Sequence, residues 1–155
     1  MRLTLKEKLK IIPEKIEIDE RILNNDIKRG VYGVFSFDER NKIKICYYIG
    51  RAVNIRSRFF NYNGHFTNFI WKNKKITIVE KIIKDILSKK LTVKIIVLEE
   101  VPYEYDNYYK DMQRLASTEC KYIDKYQEKN QALNQLPEGK WLKKEKWEKD
   151  KNSRN

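Results

Sequence analysis

The sequence predicts an α+β fold in which three strands are flanked by helices. Three observations predict it. Residues 31–37 and 43–49 are β-branched and aromatic runs on either side of the polar turn Asp38-Glu39-Arg40-Asn41-Lys42, which reads as a hairpin. Residues 92–99 form a nearly unbroken aliphatic run, suited to a strand covered on both faces. Elsewhere the apolar residues recur at helical spacing, as in Ile78, Val79, Ile82, Ile83, Ile86 and Leu87, which predict a helix facing a core.

In chain order, Leu5, Leu9 and Ile12 line one face of a short helix that Pro13 ends. Ile16 and Ile18 alternate like a short strand, and Ile22, Leu23 and Ile27 suggest a further helical turn or two. The hairpin follows, with Gly50 closing its second strand. Asn54 is placed to cap a helix running to about Tyr62, and Asn63-Gly64 breaks it. Residues 65–77 read as irregular. Pro102 marks a turn before a long helix over about 105–129. Past Leu136 the tail is basic, interrupted by Trp141 and Trp147, and reads as partly helical or disordered.

With 155 residues, 41% of them apolar, the chain is long enough for one domain with a real core. Its formal charge of +12 favours encounters with polyanions, although an abundance of Lys, Ile and Asn also fits a compositional bias. Cys46 and Cys120 are isolated thiols without metal-type spacing, which suits a reducing interior. No signal peptide is visible and no apolar run reaches membrane-spanning length, so a soluble, intracellular (cytoplasmic) protein with no membrane partner is expected.

One carboxylate stands where the pattern asks for an apolar side chain. Tyr108, Met112, Leu115, Tyr122 and Tyr126 form a helical stripe, and Glu119 fills the gap between Leu115 and Tyr122. An ionised carboxylate there costs several kcal/mol unless it escapes to water, pairs with an arginine or meets a metal. On the short helix, Arg58 and Tyr62 share a face one turn after Asn54, while Ile55 and Phe59 supply the core contacts. Tyr32 and Tyr48 stand on the two hairpin strands, with Gly30 just before one phenol and Gly50 just after the other leaving backbone room beside both rings, as a site that admits a bulky substrate needs.

Taken together these residues resemble the GIY-YIG nuclease superfamily. Gly30-Val31-Tyr32 stands for the first motif. Tyr48-Ile49-Gly50-Arg51-Ala52, continuing through Asn54 to Arg58 and Tyr62, is similar to the second motif and its helix. Glu119 with Tyr122-Ile123 and Tyr126 resembles the metal-binding glutamate segment, and Leu133-Asn134 the closing asparagine. The stretch 95–103, ending Leu98-Glu99-Glu100-Val101-Pro102-Tyr103, is similar to the nuclease domain of phage homing endonucleases. The loop between the two triplets is longer than the family commonly shows, and Asn134 stands farther from Glu119.

The resemblance implies a small three-stranded antiparallel sheet flanked by helices over residues 30–135, with 1–29 as an N-terminal extension and 136–155 as a basic tail. It implies a metal-dependent DNA endonuclease of a phage, mobile element or restriction system. Tyr32, Tyr48, Arg58, Tyr62 and Glu119 would be catalytic, and Arg51, Asn54, His65 and Asn134 would contact nucleic acid. Glu119 would hold Mg²⁺ or another divalent cation such as Mn²⁺. DNA is the implied partner, with a homodimer for double-strand cleavage. The other reading is a noncatalytic nucleic-acid-binding module on the same scaffold.

Overall fold

A computed structural model describes residues 2–73, 75–131, 134–137 and 142–153. Thr4 opens the first helix, α1 (Leu5–Ile11), with a capping box in which Glu7 and Thr4 satisfy each other's backbone N–H groups. After Pro13 come β1 (Ile16–Ile18) and α2 (Glu20–Leu23), then the hairpin strands β2 (Gly30–Asp38) and β3 (Ile43–Ala52). Helices α3 (Ile55–Phe60), α4 (Thr67–Ile70) and α5 (Ile78–Ser88) lead to β4 (Thr92–Glu100). The long α6 (Tyr108–Glu128) and α7 (Lys144–Ser153) complete the order.

The fold class is α+β, but the sheet has four strands rather than three, in the order β1-β4-β2-β3. β2 pairs antiparallel with both β3 and β4, whereas β1 lies parallel to β4, with Ile16 opposite Val93. The strand expected at Ile16 and Ile18 thus joins the sheet. Residues 1–29 contribute Ile12, Ile16 and Ile22 to the main core, so this extension is part of the packed body.

β2 is central and buried from Gly30 to Ser36 because helices cover both faces of the sheet. Tyr32, Val34, Val93, Ile95 and Val97 face α3 and α5, where Ile55, Phe59, Ile83 and Ile86 meet them. Val31, Phe35, Cys46 and Ile49 face α6 and pack on Ile123. In α5, Ile78 escapes this burial and is 71% exposed, because it occupies the first turn beside an open groove.

Gly50 does not end the strand. β3 runs on to Ala52, and Gly50 pairs with Tyr32. β3 is also an edge strand, and its free side is met by glutamines from the chain following α6. The Cys46 N–H donates to Gln131 Oε1 at 2.6 Å, and the Ile49 N–H to Gln135 Oε1 at 2.8 Å. Gln135 Nε2 returns a bond to the Ile49 carbonyl. Leu133 and Trp141 lie outside the described residues, while α7 carries Trp147 and buries nothing.

The buried face of α6 is not the stripe of tyrosines. It is Asp111, Leu115, Thr118, Glu119 and Ile123, while Tyr108 is exposed. Asp111 is drawn inward by Arg29, the residue before β2. The guanidinium grips the carboxylate through Nη1–Oδ1 at 3.2 Å and Nη2–Oδ2 at 2.5 Å, and Nη1 also donates to the Val101 carbonyl at 3.0 Å. The Tyr103 ring covers it at 4.2 Å. Both partners are nearly sealed from water, Arg29 at 3% and Asp111 at 5% exposure. A buried cation left without its partner costs several kcal/mol. Asp111→Ala is therefore expected to lower unfolding stability by about 3 kcal/mol or more, measured by urea denaturation; a loss under about 1 kcal/mol would contradict this account.

Candidate active site

The site is built where the end of β3 passes β2. Tyr32 sits on β2 at 1% exposure with its hydroxyl 3.0 Å from His65 Nε2. Phe59 meets the Tyr32 ring edge-on at 5.0 Å, and Tyr48 lies 6.5 Å away on β3. His65 is 6.5 Å from Tyr48 and 5.0 Å from Phe59 between ring centres. Its other nitrogen, Nδ1, is 3.3 Å from Thr77 Oγ1, the hydroxyl that caps α5 by accepting from the Glu80 N–H. His65 thus ties a phenol on the sheet to the start of α5.

Gly50 makes this arrangement possible. A Cβ at Gly50 would stand 2.5 Å from the Tyr32 hydroxyl and 3.0 Å from Tyr48 Cε1. The two phenols themselves take up the space of the missing side chain, where the sequence suggested room for a bulky substrate. Gly30 has a different reason: a Cβ there would run into the Glu99 carbonyl of β4, so this glycine allows close strand approach and not access to a ring.

Alternation along β3 directs the next residue, Arg51, to the other face. There its Nη1 donates to Glu119 Oε1 at 2.9 Å. Glu119 is only 1% exposed, so the carboxylate out of place in the sequence is resolved by an arginine. Gly50 and Arg51 are consecutive, so the phenol cluster and the carboxylate approach β3 from its two sides at one point along the strand.

The remaining expected residues divide. Arg58 lies in the last turn of α3, exposed, and its charge reaches His65. Asn54 caps α3, its Oδ1 accepting from the Ser57 N–H at 2.9 Å, so this oxygen is committed to the helix. Tyr62 is 55% exposed and stands edge-to-face with Trp71 at 5.6 Å, outside the ring cluster of Tyr32, Tyr48 and His65. Asn134 is exposed and lines an open groove of about 690 Å³ that also touches Tyr47, Tyr48, Ile78 and Ile82.

Two features escaped the sequence reading. Arg51 was expected to touch phosphate, and its pairing with Glu119, sixty-eight positions away in the chain, had no local signal. Gln131 and Gln135, which pair the free edge of β3, carry no pattern that marks them. Among the described residues no group of three or more His, Cys, Asp or Glu side chains is placed to hold a metal. None of the described helices is long and apolar enough to cross a membrane.

Burial and then the nearby Arg58 charge disfavour the imidazolium, pushing the His65 pKa down from 6.5 to about 4. His65 is the one histidine in the chain, so its imidazole signals in NMR report the group directly. Because the folded value is depressed, its contribution to stability is present above pH 6.5 and is lost as pH falls through about 4. A titration midpoint near 4 is expected; a midpoint above 6 would mean that His65 is solvated and not docked on Tyr32.

No family model, curated protein or solved structure matches this chain.

Proposed function

We propose that the protein is a phosphodiester-cleaving endonuclease of the GIY-YIG type, acting on DNA with a divalent cation. The observation that carries this reading is the meeting at Gly50 and Arg51. A hydroxyl-bearing cluster lies on one side of β3 and a buried carboxylate with its arginine on the other. The exposed Arg58 at the end of α3 adds a cation next to that cluster. A purely structural hairpin has no need of a glycine that clears space for two phenols.

In this reading water attacks phosphorus in line, its oxygen forming the new P–O bond as the bond to the 3′ oxygen breaks. The proton released by the water passes to Tyr32, which acts as phenolate, and the 3′ oxygen takes a proton from solvent. An ordinary phenol ionises near pH 10, so the phenolate needs positive charge close by, which Arg58 supplies. His65 does not take the phenol's proton. Burial and then the Arg58 charge disfavour the imidazolium, which makes His65 a poor acceptor for that proton. Its work is to hold the Tyr32 hydroxyl in place. Tyr48 lies beside Tyr32 and helps to position the water, and Arg58 neutralises charge growing on the phosphate.

The donor chemistry fits a hard cation held by one carboxylate. Mg²⁺ keeps most of its waters and accepts one or two carboxylates together with phosphate oxygens, so Glu119, 1% exposed and bonded to Arg51, would have to open that pair to accept it. A divalent cation held by Glu119 would supply Lewis-acid chemistry from the α6 side of β3, across the strand from Tyr32. Arg51 already holds one cationic group against the buried Glu119 carboxylate.

That same ion pair supports the second reading, a noncatalytic nucleic-acid-binding module, since a carboxylate closed by arginine is also a stable structural contact. A plasmid-nicking assay separates the two. The wild type should nick with Mg²⁺ and stop with EDTA, and Glu119→Ala and Tyr32→Phe should lose at least about 100-fold in rate, the scale of a positioned acid–base or charge-stabilising group. Cutting by Glu119→Ala at the wild-type rate would reject the assignment. Gly50→Ala, whose new Cβ must displace both phenols, is expected to lose activity to a similar extent while the chain still binds DNA; full activity in this variant would show that the phenols are not catalytic.

A further inference from the structure

Tyr62 was expected at the phosphate, yet its ring points to a different task. It is an exposed phenol held edge-to-face by Trp71, with an interplanar angle of 69°. Trp71 is itself fixed. Its backbone N–H donates to the Thr67 carbonyl at 2.8 Å, and Lys8 Nζ lies 4.9 Å from its ring centre while donating to the Phe60 carbonyl at 3.1 Å. Thr67 Oγ1 in turn donates to the Tyr62 carbonyl. The backbone and the ring of Tyr62 are therefore both tethered, although most of the ring remains in solvent.

The stretch of chain that carries the pair is cationic. Residues 40–79 contain nine Lys and Arg and no Asp or Glu, which is most of the net +12 of the chain. Arg58 and Lys72, both exposed, flank the Tyr62–Trp71 pair along the chain. Tyr62 also lies between Arg58 and His65 in sequence.

We propose that the Tyr62 ring, backed by Trp71, is a stacking platform for an unpaired nucleobase, and that this face takes single-stranded nucleic acid in preference to duplex. A free aromatic face meets a base only when that base has left its own stack, and lysine and arginine beside it track the phosphates of the same strand. Holding the ring in advance lowers the ordering cost of binding. The proposal rests on the nuclease reading only for the expectation that nucleic acid is the substrate, and it names the strand form of that substrate.

The test is fluorescence anisotropy on the full chain in EDTA, which separates binding from cleavage. The probes are a labelled 20-nucleotide single strand and the duplex of the same sequence. The wild type should bind the single strand more tightly than the duplex. Tyr62→Ala should weaken single-strand binding about tenfold, the scale of one lost base stack, and change duplex binding less than twofold. Trp71→Phe, which keeps a ring behind Tyr62, should retain the preference, whereas Trp71→Ala should lose it. Equal losses for both probes in Tyr62→Ala, or no loss for either, would overturn the proposal. A protein that nicks plasmid but lacks the preference would overturn it and leave the nuclease reading standing. A protein that stacks single strands through Tyr62 but never cuts would do the reverse.

Discussion

The grip of Arg29 on Asp111 is the contact that sets α6 against the sheet. It joins the residue before the central strand to the first turn of a helix of 21 residues, in a position that water barely reaches. An ion pair so placed is weak as a source of stability but strict about geometry, because any slippage of the helix would strand two charges in the interior. Eight residues along the same helix, about 12 Å at the usual rise, a second buried carboxylate, Glu119, meets a second arginine on the hairpin. The two pairs act as widely spaced pins on one helix face, with Leu115 packed between them. The position of Glu119 beside the end of β3 follows from the first pin as much as from its own.

The other half of the site depends on an absence of atoms. β3 crosses Tyr32 at Gly50, and the phenols fill the volume that a side chain would take. Since consecutive residues of a strand face opposite ways, the same short piece of backbone exposes an empty position toward the phenols and a guanidinium toward α6. His65 completes the phenol side by reaching from the chain after α3 to Tyr32 and by leaning on the hydroxyl that starts α5. The sheet, the chain after α3 and α6 therefore meet at one crossing point, where Tyr32 belongs to the core and Arg51 and Glu119 form a buried ion pair beside it.

Local chemistry in the sequence reached far. Asn54 caps α3, Pro13 follows α1, and the aliphatic periods of α5 and β4 correspond to helix and strand, because each is decided by residues within one or two turns of chain. Nonlocal choices were less legible. β1 has only three residues, and its parallel pairing with β4 joins segments nearly eighty positions apart, so nothing near Ile16 announces it. Gly50 looked like a strand terminator, since glycine usually is one, whereas here it lies within the ladder. The stripe on α6 was displaced for a related reason. Tyr108 read as core but is exposed, Tyr122 and Tyr126 are only partly buried, and Asp111 is drawn inward by an arginine eighty-two residues earlier. Within the site, the phenol–imidazole contact and the arginine on Glu119 both needed the third dimension. The anomaly of a carboxylate on a buried face was visible beforehand, and its partner was not.

The glutamines along β3 have a bearing on how the chain behaves when crowded. An edge strand with open amides is a template on which another copy can add a strand, and such growth leads to fibrous or amorphous aggregates. In this fold the vacant donors of Cys46 and Ile49, and the Ile49 carbonyl, are already occupied by side-chain amides that imitate a neighbouring strand without extending the sheet. A protein with so much positive charge is concentrated by any long polyanion it meets. Capping the ladder at those residues leaves this part of β3 without an amide to offer a second copy, however high the local concentration.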